Sequence, residues 1–485
     1  MVGVPGLSKG CHTCKKRRIK CDESKPICQR CQKSGYLCTG YGHPLHFVHA
    51  STAPFPSMED VVTTPKRLQE STSTMPATVV PRMRTPAPNE LSFVAFKGDF
   101  CVSFLFDNFV WRTYGTPWLQ MAAAGKLNPL ALEACQALSW THFGVTHHQR
   151  DILVEGSVRY GKTLKGLIPG LSDPMRPGVE ALIVPVMIML MHASFQEDRA
   201  ASIAHLKGLA TLLHVCGPKK FQREPLRSAF ESCRATLVTT ALIARQRTFL
   251  EQEGWCSIPW ALDAASKSQQ NHLVDILVTV PGFLEDDAKL RHIEDPEVKQ
   301  SLLDRVRTQL ANLYSWRWAW DAANTGAVWE VCPSPSPAIA PRAVDKTLHF
   351  SSHVLASEIS LYNAVLMWLL GLLWRLDPFA SFPLSPVSET RPRGPILLPH
   401  QVHSLRDPAI EICLTFEFQM RDASHSRDSA LFFLFPLGQA WTALESEAAF
   451  RDWIRSMLDK STVTRGYAIG RNAWFGNYYI PKVFQ

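Results

Sequence analysis

The chain has 485 residues, 13 of them cysteines, with 46% hydrophobic and 19% charged side chains and a formal net charge of +8. Its opening "MVGVPGLSKG" lacks an apolar core of the length a secretory signal needs. A reducing, cytosolic or nuclear compartment is therefore expected, which argues against a disulfide framework.

The first element is a cysteine cluster. Residues 11 to 38 read "CHTCKKRRIKCDESKPICQRCQKSGYLC", in which Cys11, Cys14 and Cys21 follow Cys-x2-Cys-x6-Cys and Cys28, Cys31 and Cys38 repeat the same spacing. A Cys-x2-Cys pair lets one turn present two sulfurs to one ion, and zinc takes four such ligands in a tetrahedron. The bacterial iron–sulfur run uses tighter spacing. Two tetrahedral zincs need eight ligand positions where six sulfurs are present. Two sulfurs would then bridge both metals. A single four-cysteine zinc with two spare thiols is the alternative, which the internal repeat disfavours, since each half is equally entitled to a metal. The expected unit is a small metal-stabilised irregular/α module over residues 1–40, holding two zinc ions.

Charge is concentrated in the same segment. Residues 1–40 carry a net +7, against +8 for the whole chain. Five of the six residues between Cys14 and Cys21 are basic: Lys15, Lys16, Arg17, Arg18 and Lys20. A focused basic patch is the electrostatic footprint of a nucleic-acid surface, and it doubles as a nuclear import signal. The second repeat carries "QKSGYL" at the same place, so the first half is expected to face nucleic acid and the second to complete the metal cage. Ile19, the lone apolar residue of the basic run, is expected to turn toward the cluster or toward Tyr36 and Leu37.

Residues 11 to 38 resemble the fungal six-cysteine binuclear zinc cluster, a DNA-binding module of transcription factors. The resemblance rests on the six spacings, the basic stretch after the second cysteine, and Pro26 in the joining loop. It implies that Cys11 and Cys28 bridge, that Cys14 and Cys21 complete one zinc, and that Cys31 and Cys38 complete the other. It also implies a short helix after Cys14 that enters the major groove and reads CGG-like triplets of double-stranded DNA. Lys15, Lys16, Arg17, Arg18 and Lys20 would lie on or beside it, with Arg17 and Arg18 the favoured base readers. Lys15 stands where the family usually has Arg, and Arg18 where it usually has Lys.

Residues 41–90 read as a flexible linker. Residues 39–90 hold eight prolines and twelve Ser or Thr with no sustained apolar periodicity. Prolines interrupt every candidate heptad, so the coiled coil that many members of this family place after the finger is expected to be missing, and dimerisation through this segment with it.

Residues 91–485 read as a large, mostly α-helical domain. All 14 tryptophans and 23 of 25 phenylalanines lie beyond residue 90. "ALEACQALSW", "HLKGLATLLHVCGP", "SLLDRVRTQLANLYSWRWAW" and "SSHVLASEISLYNAVLMWLLGLLWRL" space apolar residues at three and four, the second stopping at Gly217-Pro218. "VEALIVPVMIMLMHASF" is too short and too interrupted, by Glu180, Pro185 and His192, for a membrane span and reads as a buried helix. "CPSPSPAIAPR" and "DPFASFPLSPVSETRPRGP" read as surface loops. With "HLVDILVTVPGFLEDD" and "FFLFPLGQAW", the region resembles the all-helical regulatory domain of many fungal transcription factors. That likeness implies a regulatory or effector-responsive role and names no ligand.

One stretch suggests an enzyme. "GSVRYGKT", residues 156 to 163, satisfies G-x4-G-K-[ST], in which Lys162 would meet terminal phosphates and Thr163 a magnesium ion. Bulky Val158, Arg159 and Tyr160 fill the loop, Pro169-Gly170 cuts the following helix short, and no strand with a metal-binding Asp follows. Ile152, Val158, Leu164 and Leu167 would instead line one helical face. No HExxH or GxSxG motif is present, and the seven cysteines outside the cluster read as core residues.

The sequence thus predicts a nuclear, non-enzymatic, sequence-specific DNA-binding regulator of RNA polymerase II transcription, an activator rather than a repressor. Its partners would be CGG-like DNA, transcription machinery or co-regulators, and a small-molecule effector; no membrane is among them. The alternatives are a nucleotide-binding enzyme built on "GSVRYGKT" with an accessory zinc finger, and a zinc module used for protein interaction.

Overall fold

The computed structural model describes residues 10–24, 27–38, 96–109, 117–172, 178–196, 198–292, 295–332, 343–379, 394–422 and 430–460. The predicted linker and most of both proline-rich loops lie outside them. The chain divides into two units, Met1–Thr85 and Pro86–Gln485.

In the first unit two short helices, α1 (His12–Lys16) and α2 (Gln29–Lys33), pack together. Among the described residues of this unit, four buried cysteines, Cys11, Cys14, Cys28 and Cys31, form the core, with Ile19, Cys21 and Cys38 packed against them. So small a core cannot hold a fold by apolar burial alone.

The second unit is helical, as the spacing predicts. It begins with α3 (Lys97–Asn108), α4 (Trp118–Ala123), α5 (Pro129–Thr146) and α6 (Arg150–Leu171). There follow α7 (Ile183–Phe195), α8 (Arg199–Cys216), α9 (Leu226–Ala244), α10 (Glu253–Ser257), α11 (Gln269–Leu277) and α12 (Val280–Leu290). The unit ends with α13 (Pro296–Ala323), α14 (His353–Leu376), α15 (Arg406–Asp422), α16 (Ala430–Ala443) and α17 (Ala448–Lys460). Caps set the boundaries: Asn128, Asp198, Asp295 and Ser352 each accept a first-turn backbone N–H, and Pro129 and Pro296 open their helices. Gly217, at φ 70°, stops α8 ahead of Pro218.

"VEALIVPVMIMLMHASF" forms a 3-10 turn and then α7, most of whose apolar residues are buried, with Leu190, Met191 and Phe195 partly so. Among the described helices α14 is long and apolar enough to cross a membrane, yet 89% of its apolar window is buried. It packs on α11, α13, α15 and α16 as a central helix of the core. One feature escaped the sequence reading. Strands β1 (Val328–Val331) and β2 (Thr347–Phe350) form an antiparallel pair in the register Val328↔Phe350, with Leu348 and Phe350 buried and β2 lying on α15.

α6 corrects two expectations. It runs through Pro169 to Leu171, because a proline this near the end forfeits only one late backbone bond. Its buried face is Gly156, Thr163, Leu167 and Gly170, whereas Val158 is 65% and Leu164 37% exposed. The helix presses Gly156 onto α5 and Gly170 onto Leu182 of the 3-10 turn before α7. A Cβ on Gly156 would stand 2.5 Å from Thr141 Oγ1, so only glycine fits there.

Candidate metal centre and nucleic-acid surface

The internal repeat of the sequence is also a repeat of structure. In the first half, Cys11 caps α1 by accepting from Cys14 N at 3.3 Å; in the second, Cys28 caps α2 by accepting from Cys31 N at 3.3 Å. Each helix closes with the same pair of backbone bonds. Ile19 N donates to Cys14 O and Arg18 N to Lys15 O; seventeen residues on, Tyr36 N donates to Cys31 O and Gly35 N to Gln32 O. These are two Schellman closures, which need a left-handed residue after the C-cap. Gly35 supplies it at φ 68°, and Arg18 at φ 54°. The third cysteine of each half accepts from the backbone of the first: Cys11 N reaches Cys21 Sγ at 3.4 Å and Cys28 N reaches Cys38 Sγ at 3.5 Å.

This scaffold gathers the thiols. The sulfurs of Cys11, Cys14, Cys21 and Cys28 all lie within 4.8 Å of one another, as do those of Cys11, Cys28, Cys31 and Cys38. Cys11 and Cys28 belong to both sets, and their own sulfurs are 3.6 Å apart. Zinc–sulfur bonds of about 2.3 Å in a tetrahedron place sulfurs about 3.8 Å apart, so the donor set fits two metals sharing two ligands. Burial pushes the Cys11 thiol up to about 12 and raises those of Cys14 and Cys28 as well. Thiols packed this way hold their protons until a cation replaces them. The N–H groups aimed at Cys11, Cys21, Cys28 and Cys38 are the outer layer that steadies thiolate charge.

Asp22 joins the halves. Its Oδ2 accepts from Gln29 N and Ser24 Oγ, each at 2.9 Å. Burial works against its charge, but these hydrogen bonds prevail and hold the carboxyl below its usual range.

The predicted basic residues are all in the first half but do not share one environment. Lys15 and Lys16, in the last turn of α1, are exposed, as are Arg18 and Lys20 beyond it. Arg17 is only half-exposed. Its guanidinium lies over the Tyr36 ring, 3.8 Å from the centroid, which ties the basic run to the second repeat. Thr13 Oγ1 adds a 2.8 Å bond to Leu37 O across the same seam. Ile19 packs on the cysteine cluster. The Arg17–Tyr36 stack and the left-handed backbone at Arg18 were missed by the sequence reading. The repeat carried the signal for the second, because aligning the halves sets Arg18 opposite Gly35.

"GSVRYGKT" offers no phosphate loop. All of it is α-helix, inside α6, where backbone N–H groups are already bonded along the helix. Lys162 Nζ lies 3.4 Å from Glu133 Oε2, and Thr163 Oγ1 donates to Arg159 O at 2.9 Å.

Residues 9–46 match the family model described as the fungal Zn(2)-Cys(6) binuclear cluster domain. An uncharacterized transcriptional regulatory protein of Schizosaccharomyces pombe is 68% identical over 34 residues, 7% of this chain and 6% of its own. White-opaque regulator 2 of Candida albicans is 62% identical over 32 residues, 7% of each chain. The aspercryptin biosynthesis cluster-specific transcription regulator of Emericella nidulans is 56% identical over 39 residues, 8% of this chain and 6% of its own. The chain therefore spans under a tenth of the length of these relatives. No solved structure matches.

Proposed function

We propose, from the premise that residues 9–46 are a fungal Zn(2)-Cys(6) binuclear cluster domain binding two zinc ions, that the chain is a sequence-specific DNA-binding regulator of RNA polymerase II transcription. The supporting observation is the pair of sulfur sets sharing Cys11 and Cys28, with four exposed cations on the half that carries the basic run. Cys11, Cys14, Cys21 and Cys28 hold one zinc, and Cys11, Cys28, Cys31 and Cys38 the other. The metals lock α1 in place. α1 and the turn after it then carry Lys15, Lys16, Arg18 and Lys20 into the major groove of a CGG-like site. Arg18 is the principal base reader, since its guanidinium can fork onto guanine O6 and N7. Arg17, stacked on Tyr36, braces the run and adds charge toward the phosphates. The protein works in the nucleus as an activator. Residues 41–90 tether the finger, and the helical domain of 91–485 recruits co-regulators or answers a small-molecule effector.

Selection of bound fragments from a random DNA pool by the zinc-loaded full chain tests the reading. CGG-containing fragments should be enriched, and chelation should abolish the enrichment. Recovery of unenriched DNA, or binding indifferent to chelation, would overturn it.

A further inference from the structure

Three helix ends bring arginines to one buried acid. Asp287 of α12 is ion-paired with Arg375, in the last turn of α14, and lies 3.6 Å from Arg291, the C-cap of its own helix. Arg245, the C-cap of α9, is the third, and α9 and α14 both pack on α12. Burial and the Arg291 charge hold Arg245 below the usual arginine range, and burial and the Arg245 charge do the same to Arg375. Three guanidiniums thus answer to one carboxylate, which leaves two positive charges uncompensated. The neighbouring acids are engaged elsewhere. Lys289 pairs with Glu285, Arg247 and Arg305 with Asp286, and Arg307 with Asp377.

Arg245 is also held against its backbone preference. At φ 51° it closes α9 as Arg18 closes α1, with Gln246 N donating to Ala241 O and Arg245 N to Leu242 O. Glycine is the residue favoured there. Among the described residues no carboxylate pairs with Arg245, and Arg375 keeps its Nε buried without a hydrogen-bond partner. A cation at a helix C-terminus is favourable in itself. Among the described residues, however, none of these three guanidiniums donates to a terminal carbonyl, and two of them turn to Asp287 instead.

We propose that Arg245, Arg291 and Arg375 form a binding site for a phosphate monoester carried by a small-molecule effector. Such a group carries about −1.5 to −2 charges near neutral pH and three acceptor oxygens. It matches the uncompensated charge and lets each guanidinium take an oxygen. A planar carboxylate brings one charge and two oxygens, and would leave one arginine unanswered. Arg291 is exposed, so the group can enter from solvent, while Arg375 meets it at the more buried end. Asp287 positions Arg291 and Arg375 and does not itself bind the ligand. That the ligand acts as an effector rests on the regulatory role proposed above for the helical domain. The site itself does not, and its binding is measured without DNA.

Isothermal titration of the zinc-loaded full chain with inorganic phosphate, near neutral pH and at fixed ionic strength, tests it. The wild type should show a saturable site that Arg245→Gly and Arg291→Gln each weaken by at least roughly tenfold, the loss of one charge-assisted hydrogen bond. Lys289→Ala removes a neighbouring cation already bonded to Glu285, and should bind phosphate as the wild type does. The basic run of the first unit is the same in all four chains, so phosphate taken up there cancels. Thermal unfolding by circular dichroism without phosphate supplies a second readout. Arg245→Gly should unfold at a higher temperature than the wild type, since it relieves both the left-handed backbone and the crowding of like charge. No saturable binding, or binding that survives both arginine changes, would overturn the proposal. So would an Arg245→Gly chain that unfolds below the wild type, because the arginine would then be a structural prop.

Discussion

The two halves of the zinc module share one scaffold and carry different loads. Both place cysteines at the N-cap, in the helix and ten residues after the first, and both close the helix with the same two backbone bonds. Apart from His12-Thr13 against Gln29-Arg30, the differences within the repeats lie between the second and third cysteines. Where the second half has Gln32, Lys33, Ser34, Gly35, Tyr36 and Leu37, the first has Lys15, Lys16, Arg17, Arg18, Ile19 and Lys20. Metal binding accounts for what the halves share. What they do not share, four added cations and an arginine where the geometry favours glycine, has to come from another selective demand. Contact with a polyanion meets it.

The shared part breaks most dramatically. If Cys11 and Cys28 serve both metals, Cys11→Ser or Cys28→Ser should lower zinc from two ions per chain toward none and unfold the module. Cys21→Ser and Cys38→Ser, each touching one set, should leave about one ion. Native mass spectrometry of the four variants reads the difference directly. Four identical stoichiometries would mean that the sulfurs are not shared in this way.

The unshared part should separate in DNA binding. Arg18→Ala should cost about 1–3 kcal/mol on the selected site and little on scrambled DNA, flattening preference. Lys33→Ala, the change at the second half's counterpart of Lys16, should alter neither. Fluorescence anisotropy on both DNAs compares them. Equal losses for Arg18→Ala on both would reduce that residue to a phosphate contact. A smaller and uniform effect is expected of Lys20. Lys20→Ala should weaken all DNA alike and reduce the salt slope by roughly one unit, and a titration in salt that returned the wild-type slope would remove Lys20 from the phosphate contacts.

The repeat also explains what the sequence could reveal. Cysteine spacing is a one-dimensional signal of a three-dimensional fact, because a Cys-x2-Cys turn has few shapes, and the two sulfur sets follow from it. Helices such as α8, α13 and α14 were legible because long apolar periods end at strong caps and stops. α6 was misread for the opposite reason. Its buried face carries Leu167 as expected, but otherwise consists of Gly156, Thr163 and Gly170, which gain contact by close approach rather than by apolar bulk, so counting large apolar residues also drew in Val158 and Leu164 from the solvent side. β1 and β2 are four residues each, too short for alternation to register, and owe their pairing to support from α15. The Arg17–Tyr36 stack joins residues nineteen apart across a metal cluster, which no local pattern encodes.

The finest test of the comparison exchanges backbone preference while leaving every cysteine in place. Left-handed backbone costs a non-glycine residue about 1–2 kcal/mol, less what glycine loses through its freer unfolded chain. Arg18, at φ 54°, bears that cost, and Gly35, at φ 68°, does not. Arg18→Gly should therefore stabilise the module by about 1 kcal/mol. Because its folding and metal binding are one equilibrium, the gain should appear as roughly fivefold better zinc retention against a competing chelator. Gly35→Ala should lose zinc by a similar factor, although no atom lies within 4 Å of the added Cβ. DNA binding should move the other way for the first change and not at all for the second. Arg18→Gly would then make a better metal site and a poorer DNA reader, the signature of a residue kept for function against its own backbone. If zinc retention is unchanged in both variants, the left-handed turn carries no strain, and Arg18 occupies it for reasons unrelated to a trade between stability and recognition.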